Sequence, residues 1–181
     1  MRSIGLFLAL SLSCLSVSAQ PPMPRKAPEL TIIEPSGKQT LLSSYKGKVV
    51  VLAFILTTCP HCQAECGVLT KLHGELGDKG FQPLAVAIND TTGPLVNGFM
   101  QVFHPSFPVG YLPVRQTVVD FLKVDDNVTW NVPQVVVIDR KGMIVAQSAA
   151  LGTADLQEEA PLRKKITELL APSVANKKSG L

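Results

Sequence analysis

Cys59 and Cys62, separated by Pro60 and His61, are the residues best suited to chemistry in this sequence. A thiolate is a nucleophile, and a second thiol at this spacing can close a disulfide with it, so the pair suits two-electron thiol–disulfide exchange. The apolar segment Val49 to Leu56 runs straight into the motif, and a helical pattern follows it. Cys59 is therefore expected where a buried strand ends and a helix begins. The unpaired amide groups and dipole of a helix start favour negative charge, so a thiol there should ionise more readily than a free cysteine at about 8.5. Pro60 fits the first helical position, where no amide hydrogen is needed. His61, if protonated, adds positive charge nearby. Cys62 lies one turn in on the core-facing side, so the expectation is one exposed attacking sulfur and one sheltered resolving sulfur.

Other uses of the pair carry less support. Half of a zinc site would need a second Cys-x-x-Cys or a His-x-x-x-His, and only His73 and His104 remain as distant ligands. A structural disulfide over so short a loop removes little entropy from the unfolded chain. Soft thiolates suit copper(I), which keeps a metal chaperone using Cys59, Cys62 and a histidine in view. Cys66 follows Cys62 by four residues on the same helical face, as a small buried apolar residue or as a third redox thiol.

Three short apolar runs, Val49 to Leu56, Leu84 to Ile88 and Val135 to Ile138, read as strands covered on both faces. Asp139-Arg140-Lys141-Gly142 is a turn signal that joins the third run to Met143 to Ala146 as a hairpin. Helical stripes are predicted through Cys62, Cys66, Leu69, Leu72 and Leu76; through Leu95, Val96, Phe99, Met100 and Phe103; through Val114, Val118, Phe121 and Leu122; and through Leu162, Ile166, Leu169 and Leu170. This order makes an α/β sandwich with a mixed sheet.

The 181 residues fit one domain, and 46% apolar with 17% charged residues supply a core. Net charge is +3 with no basic stripe interleaved with aromatics, which argues against nucleic-acid binding. Arg2, the apolar run Ile4 to Val17 and the small Ala19 read as a signal peptide over residues 1–19. That run falls short of the roughly 20 apolar residues that span a bilayer, so membrane attachment is expected only if the segment is retained. A Pro-rich linker over 20–28, a domain over 29–170 and a disordered tail over 171–181 complete the expected organisation. Cleavage would place the protein outside the cytoplasm, in a bacterial periplasm or secreted, where disulfides persist.

The chain resembles the TlpA-like branch of thioredoxin-fold thiol–disulfide oxidoreductases, within the AhpC/TSA–redoxin superfamily. The resemblance rests on Ala27-Pro28-Glu29-Leu30, Ser44-Tyr45-Lys46-Gly47-Lys48, the strand ending in Cys59-Pro60-His61-Cys62, Glu65, and Val132-Pro133 before Val135-Val136-Val137-Ile138-Asp139. It implies a thioredoxin-like three-layer sandwich, a mixed central sheet flanked by helices, with an N-terminal extension and a central insertion. It also implies that Val132-Pro133 is a cis-proline site whose backbone pairs with the substrate chain as an added strand. Glu65 would accept or relay the Cys62 proton as a partly buried carboxylate with a raised pKa, or would be an ordinary solvated helix carboxylate. No cofactor is expected beyond the redox-active Cys59–Cys62 disulfide, and no metal. The partners implied are protein thiols and disulfides and a redox-recycling partner.

The sequence departs from that family at Thr58, where Trp is usual, and at Cys66 and Gly67, where an apolar residue and Pro are usual. The Pro-His pair between the cysteines is similar to the oxidase DsbA, whereas a TlpA-like body more often implies a reductant; the first leans toward an oxidising pair. A peroxiredoxin-type thiol peroxidase shares the core fold, but Leu56 and Leu52 stand where it would carry Thr and Pro. Copper-assembly relatives generally space their cysteines by three residues.

Overall fold

The computed structural model describes residues 21–172 apart from Asp90, Thr91, Asp126, Val128 and Thr153. The expected signal peptide and all but the first two residues of the expected tail lie outside the described residues. In chain order the elements are β1 (Arg25–Lys26), β2 (Thr31–Ile33), β3 (Gln39–Leu41), β4 (Val49–Ile55), α1 (Pro60–Leu76), β5 (Phe81–Ala87), α2 (Thr92–Phe103), β6 (Val109–Tyr111), α3 (Arg115–Leu122), β7 (Gln134–Ile138), β8 (Met143–Gln147), α4 (Ala154–Gln157) and α5 (Glu159–Leu170).

The strands form one mixed sheet in the order β1-β8-β7-β4-β5-β6-β2-β3. β4 pairs parallel with β5 (Val49 opposite Phe81 through Ile55 opposite Ala87) and antiparallel with β7 (Val50 opposite Ile138 through Phe54 opposite Gln134). Every residue of β4, β5 and β7 is buried, as strands covered on both faces must be. Alternation along β4 divides the core. Val49, Val51, Ala53 and Ile55 face a cluster with Cys62, Cys66, Leu69 and Leu72 of α1 and Leu162 and Ile166 of α5. Val50, Leu52 and Phe54 face Val118, Phe121 and Leu122 of α3, together with Leu30, Ile32 and Leu42. Phe54 and Phe121 meet edge to face, with ring centroids 5.6 Å apart. The result is the three-layer thioredoxin-like sandwich.

The β7–β8 hairpin follows its turn signal: Asp139 Oδ1 accepts from the Lys141 and Met143 amides, both at 2.9 Å, and Gly142 takes a φ of 80°. Two helical stripes are narrower than their sequence pattern. On α2, Val96 and Phe99 are buried, but Leu95, Met100 and Phe103 are exposed, because the sheet covers only part of a wide apolar arc. Val114 precedes α3 as its N-cap and is also exposed. Within the proline-rich stretch, β1 pairs antiparallel with β8, and Arg25 Nη2 donates to Phe121 O at 3.0 Å and Gln147 Oε1 at 2.5 Å.

Candidate functional site

The central strand β4 ends at Ile55, beyond which Thr57 and Thr58 turn the chain into α1. Cys59 is the N-cap of that helix, in an extended conformation, and Pro60 is its first residue. The turn is braced on both sides. The Thr57 amide donates to Asn89 Oδ1 at 3.0 Å, Gln63 Nε2 donates to Thr57 O at 3.0 Å, and the Cys59 amide donates to Leu56 O at 3.0 Å. Asn89 follows β5, so the loop after the neighbouring strand helps to place the cysteine.

Cys59, Cys62 and Cys66 are free thiols, and burial separates their roles. Cys59 is partly exposed, His61 is exposed, and Cys62 is fully buried in the α1 face of the core. Burial pushes the Cys62 thiol strongly upward; its contact with the Cys59 side chain and the nearby Cys66 push the same way, while a backbone hydrogen bond at Leu56 opposes them. Cys66 is 2% exposed, and its thiol is pushed up to about 12 by burial and then by the Glu65 charge. Glu65 is also 2% exposed, with no hydrogen-bond partner for either carboxylate oxygen. Burial raises its pKa to about 8. The solvated-carboxylate alternative for Glu65 is therefore corrected: the third residue after Cys62 turns inward rather than out.

Facing the helix start is the loop before β7. The Val132–Pro133 peptide is cis, as the resemblance implies, and Val132 packs against the same core cluster as Cys59. Gln157 Nε2 donates to Pro133 O at 3.0 Å. Beside the cysteines, His61, Trp130, Asn131, Val132, Leu151 and Gln157 line a cleft of about 480 Å³. This arrangement joins a reachable sulfur and a sheltered sulfur at one helix start, next to a cleft that His61 and Val132 both line. Among the described residues no three His, Cys, Asp or Glu side chains are grouped to hold a metal ion.

Residues 23–147 match the AhpC/TSA family. The chain belongs to this family. It is 26% identical to the thiol-disulfide oxidoreductase ResA of Bacillus thuringiensis subsp. konkukian over 143 residues, covering 79% of this chain and 78% of that one. It is 30% identical over 166 residues to a probable phospholipid hydroperoxide glutathione peroxidase of Helianthus annuus, covering 82% of this chain and 91% of the relative. Among solved structures it is similar to a putative thiol:disulfide interchange protein DsbE from Chlorobium tepidum, with a TM-score of 0.69, 26% identity, and coverage of 82% and 97%. This AhpC/TSA member is a thioredoxin-like thiol–disulfide oxidoreductase.

The structure brings together Cys59, Pro60, His61 and Cys62 at one helix start, with Val132 and Pro133 on the facing loop and Glu65 beneath, inside the core. Sequence reasoning missed Asn89, Gln134, Leu151 and Gln157. Gln134 left one visible signal, a lone amide at the head of an apolar strand; the others act through space.

Proposed function

We propose that this AhpC/TSA member works outside the cytoplasm, exchanging disulfides with partner proteins through Cys59 and Cys62. The observation that carries this reading is the burial contrast between the two sulfurs. Only Cys59 is open to a visiting polypeptide, so it attacks first. In the reducing direction the Cys59 thiolate attacks one sulfur of a substrate disulfide, forming a mixed disulfide and releasing one substrate thiolate. Cys62 then gives up its proton and attacks Cys59 Sγ, releasing the second substrate thiolate and closing the Cys59–Cys62 disulfide. The substrate gains two electrons and two protons, and a recycling partner restores the pair. In the oxidising direction the same steps run backwards.

The second attack needs a base, because burial holds the Cys62 proton firmly. Glu65 is the proposed acceptor or relay. It is buried without a partner, and its charge acts on Cys66, whose field in turn reaches Cys62. Val132 and Pro133 present backbone to the substrate chain. The extracytoplasmic placement rests on the charge, apolar run and small residues of positions 1–19.

The test is trapping. A Cys62→Ser protein, mixed with a disulfide-bonded polypeptide, accumulates a covalent adduct through Cys59, whereas Cys59→Ser forms none. Adducts through Cys66, or none with either protein, would contradict the reading. The Helianthus annuus relative supports a second reading as a thiol peroxidase; rapid consumption of a hydroperoxide by the reduced protein would favour it.

A further inference from the structure

At the end of β4 opposite Cys59, the start of that strand meets the end of β7, with Val50 opposite Ile138. A cavity of about 290 Å³ opens there between β1, the 3-10 turn Leu42–Tyr45, the loop into β4 and the β7–β8 turn. Its apolar lining includes the buried Leu42, Val50 and Ile138 and the half-buried Met143. Four exposed lysines, Lys26, Lys46, Lys48 and Lys141, converge on the same cavity from three separate stretches of chain.

The carboxylates in the lining do not neutralise these charges. Glu29 Oε1 accepts from the Leu30 and Ser43 amides at 3.1 and 3.0 Å, and Asp139 Oδ1 is held by the Lys141 and Met143 amides. Among the described residues none of the four lysines forms an ion pair with a carboxylate. Lys48 Nζ donates to the neutral Gln82 Oε1 at 3.1 Å, and the field of Lys46 reaches Glu29. Four ammoniums and two carboxylates leave an excess of two positive charges. The walls are tied together before any ligand arrives. Lys26 pairs with Met143 across β1 and β8, the Ala27 amide donates to Gly142 O at 3.0 Å, and the Gly47 amide donates to Arg140 O at 3.0 Å. Like charges gathered round one fixed opening repel, and a bound anion relieves that repulsion.

We propose that this cavity binds a phosphate monoester on a short apolar body, with the phosphate among the lysine ammoniums and the apolar part over Leu42, Val50, Ile138 and Met143. A phosphate monoester carries close to two negative charges at neutral pH, which matches the excess. Lysine ammoniums are point charges and accept phosphate from several directions, without the fork geometry of arginine. The apolar body gains by leaving water for the floor of the cavity, and a prebuilt site spends little on ordering. A soluble phosphate ester and the headgroup of phosphatidic acid offer this same chemistry. The site is remote from the cysteines, so the inference is independent of the exchange reading.

The experiment titrates the full chain with hexyl phosphate, inorganic phosphate and hexyl sulfate, following backbone amide NMR shifts. Hexyl phosphate should bind saturably and move the Ala27, Ser43 and Gly142 amides while leaving Cys59 in place. It should bind about tenfold more tightly than inorganic phosphate, as covering two or so methylenes implies, and more tightly than the singly charged hexyl sulfate. Lys46→Gln with Lys141→Gln should weaken hexyl phosphate by about tenfold. Lys164→Gln with Lys165→Gln, which removes the same charge from α5, should leave it unchanged. Sedimentation with phosphatidylcholine vesicles containing phosphatidic acid, lost in the Lys46/Lys141 variant, would name the lipid headgroup as the source; hexyl phosphate binding without sedimentation would name a soluble ester. No saturable response to hexyl phosphate, an affinity no greater than that for inorganic phosphate, or equal weakening by the two double variants would overturn the inference.

Discussion

Cys62 is fully buried while Cys59, three residues earlier and at the cap of the same helix, is only partly covered. One turn of α1 therefore converts two chemically identical side chains into an accessible sulfur and a protected one. The difference is produced by the strand–helix junction: β4 stops at Ile55, the chain turns through Thr57 and Thr58, and α1 enters the core with Cys62 on its inner face.

Alkylation should report that asymmetry directly. In the native reduced protein, iodoacetamide at neutral pH is expected to modify Cys59 first, with Cys62 and Cys66 protected until the protein is unfolded. Cys66 has a second reason to resist, since burial and the Glu65 charge hold its thiol at about 12. Peptide mapping checks the order; early labelling of Cys66 would remove its description as a core residue.

Glu65 predicts a pH dependence with a definite sign. Its folded value of about 8 lies above the ordinary 4.5, so between those values the folded protein binds the extra proton and the unfolded chain does not. Stability relative to Glu65→Gln is thus expected to be similar at the acid end, to fall as pH rises through that window, and to level off above it. At about 1.4 kcal/mol per pH unit the full difference is on the order of 3–5 kcal/mol. Urea unfolding of both proteins across the window measures it, and an opposite slope would contradict the burial of Glu65.

The same substitution separates structure from chemistry. If Glu65 moves the Cys62 proton, Glu65→Gln slows the step that resolves the mixed disulfide and removes a limb near pH 8 from the rate profile. An unchanged rate and profile would leave Glu65 with a structural effect alone.

Two glycines should respond in opposite directions to alanine. At Gly110 in β6 an added Cβ would lie 2.4 Å from Ile32 Cγ2 and 2.7 Å from Ile33 O, where β2 packs alongside. Gly110→Ala is expected to cost about 1–3 kcal/mol. Gly67 lies inside α1 with nothing within 4 Å of the added atom, so Gly67→Ala should stabilise by roughly 0.5–1 kcal/mol. Thermal or urea unfolding gives both signs.

Much of this architecture is legible in the residues because it depends on local pattern. The apolar runs of β4, β5 and β7, the Asp139–Gly142 turn and the α1 stripe each state their own conformation. β2, β3 and β6 have three residues apiece, too few for a period to show, and they exist because pairing such as Ile33 with Tyr111 organises them. The α2 stripe misleads for a related reason: the sequence gives an apolar arc but not the width of the surface that will cover it. At the site, Cys59, Cys62 and Pro133 announce themselves by type and spacing. Gln134 leaves only a lone amide at the head of an apolar strand, because its bonds to the Asn131, Ala149 and Ala150 carbonyls form where the two ends of the β7–β8 hairpin meet.

The central claim is that Cys59 and Cys62 form one reversible two-electron couple, and equilibration in graded thiol–disulfide buffers tests it most directly. After acid quenching, differential alkylation and peptide mapping, the account predicts a single transition in which Cys59 and Cys62 convert together to a disulfide while Cys66 stays reduced. If the two never join at any buffer potential, or if the disulfide that forms includes Cys66, the account is contradicted.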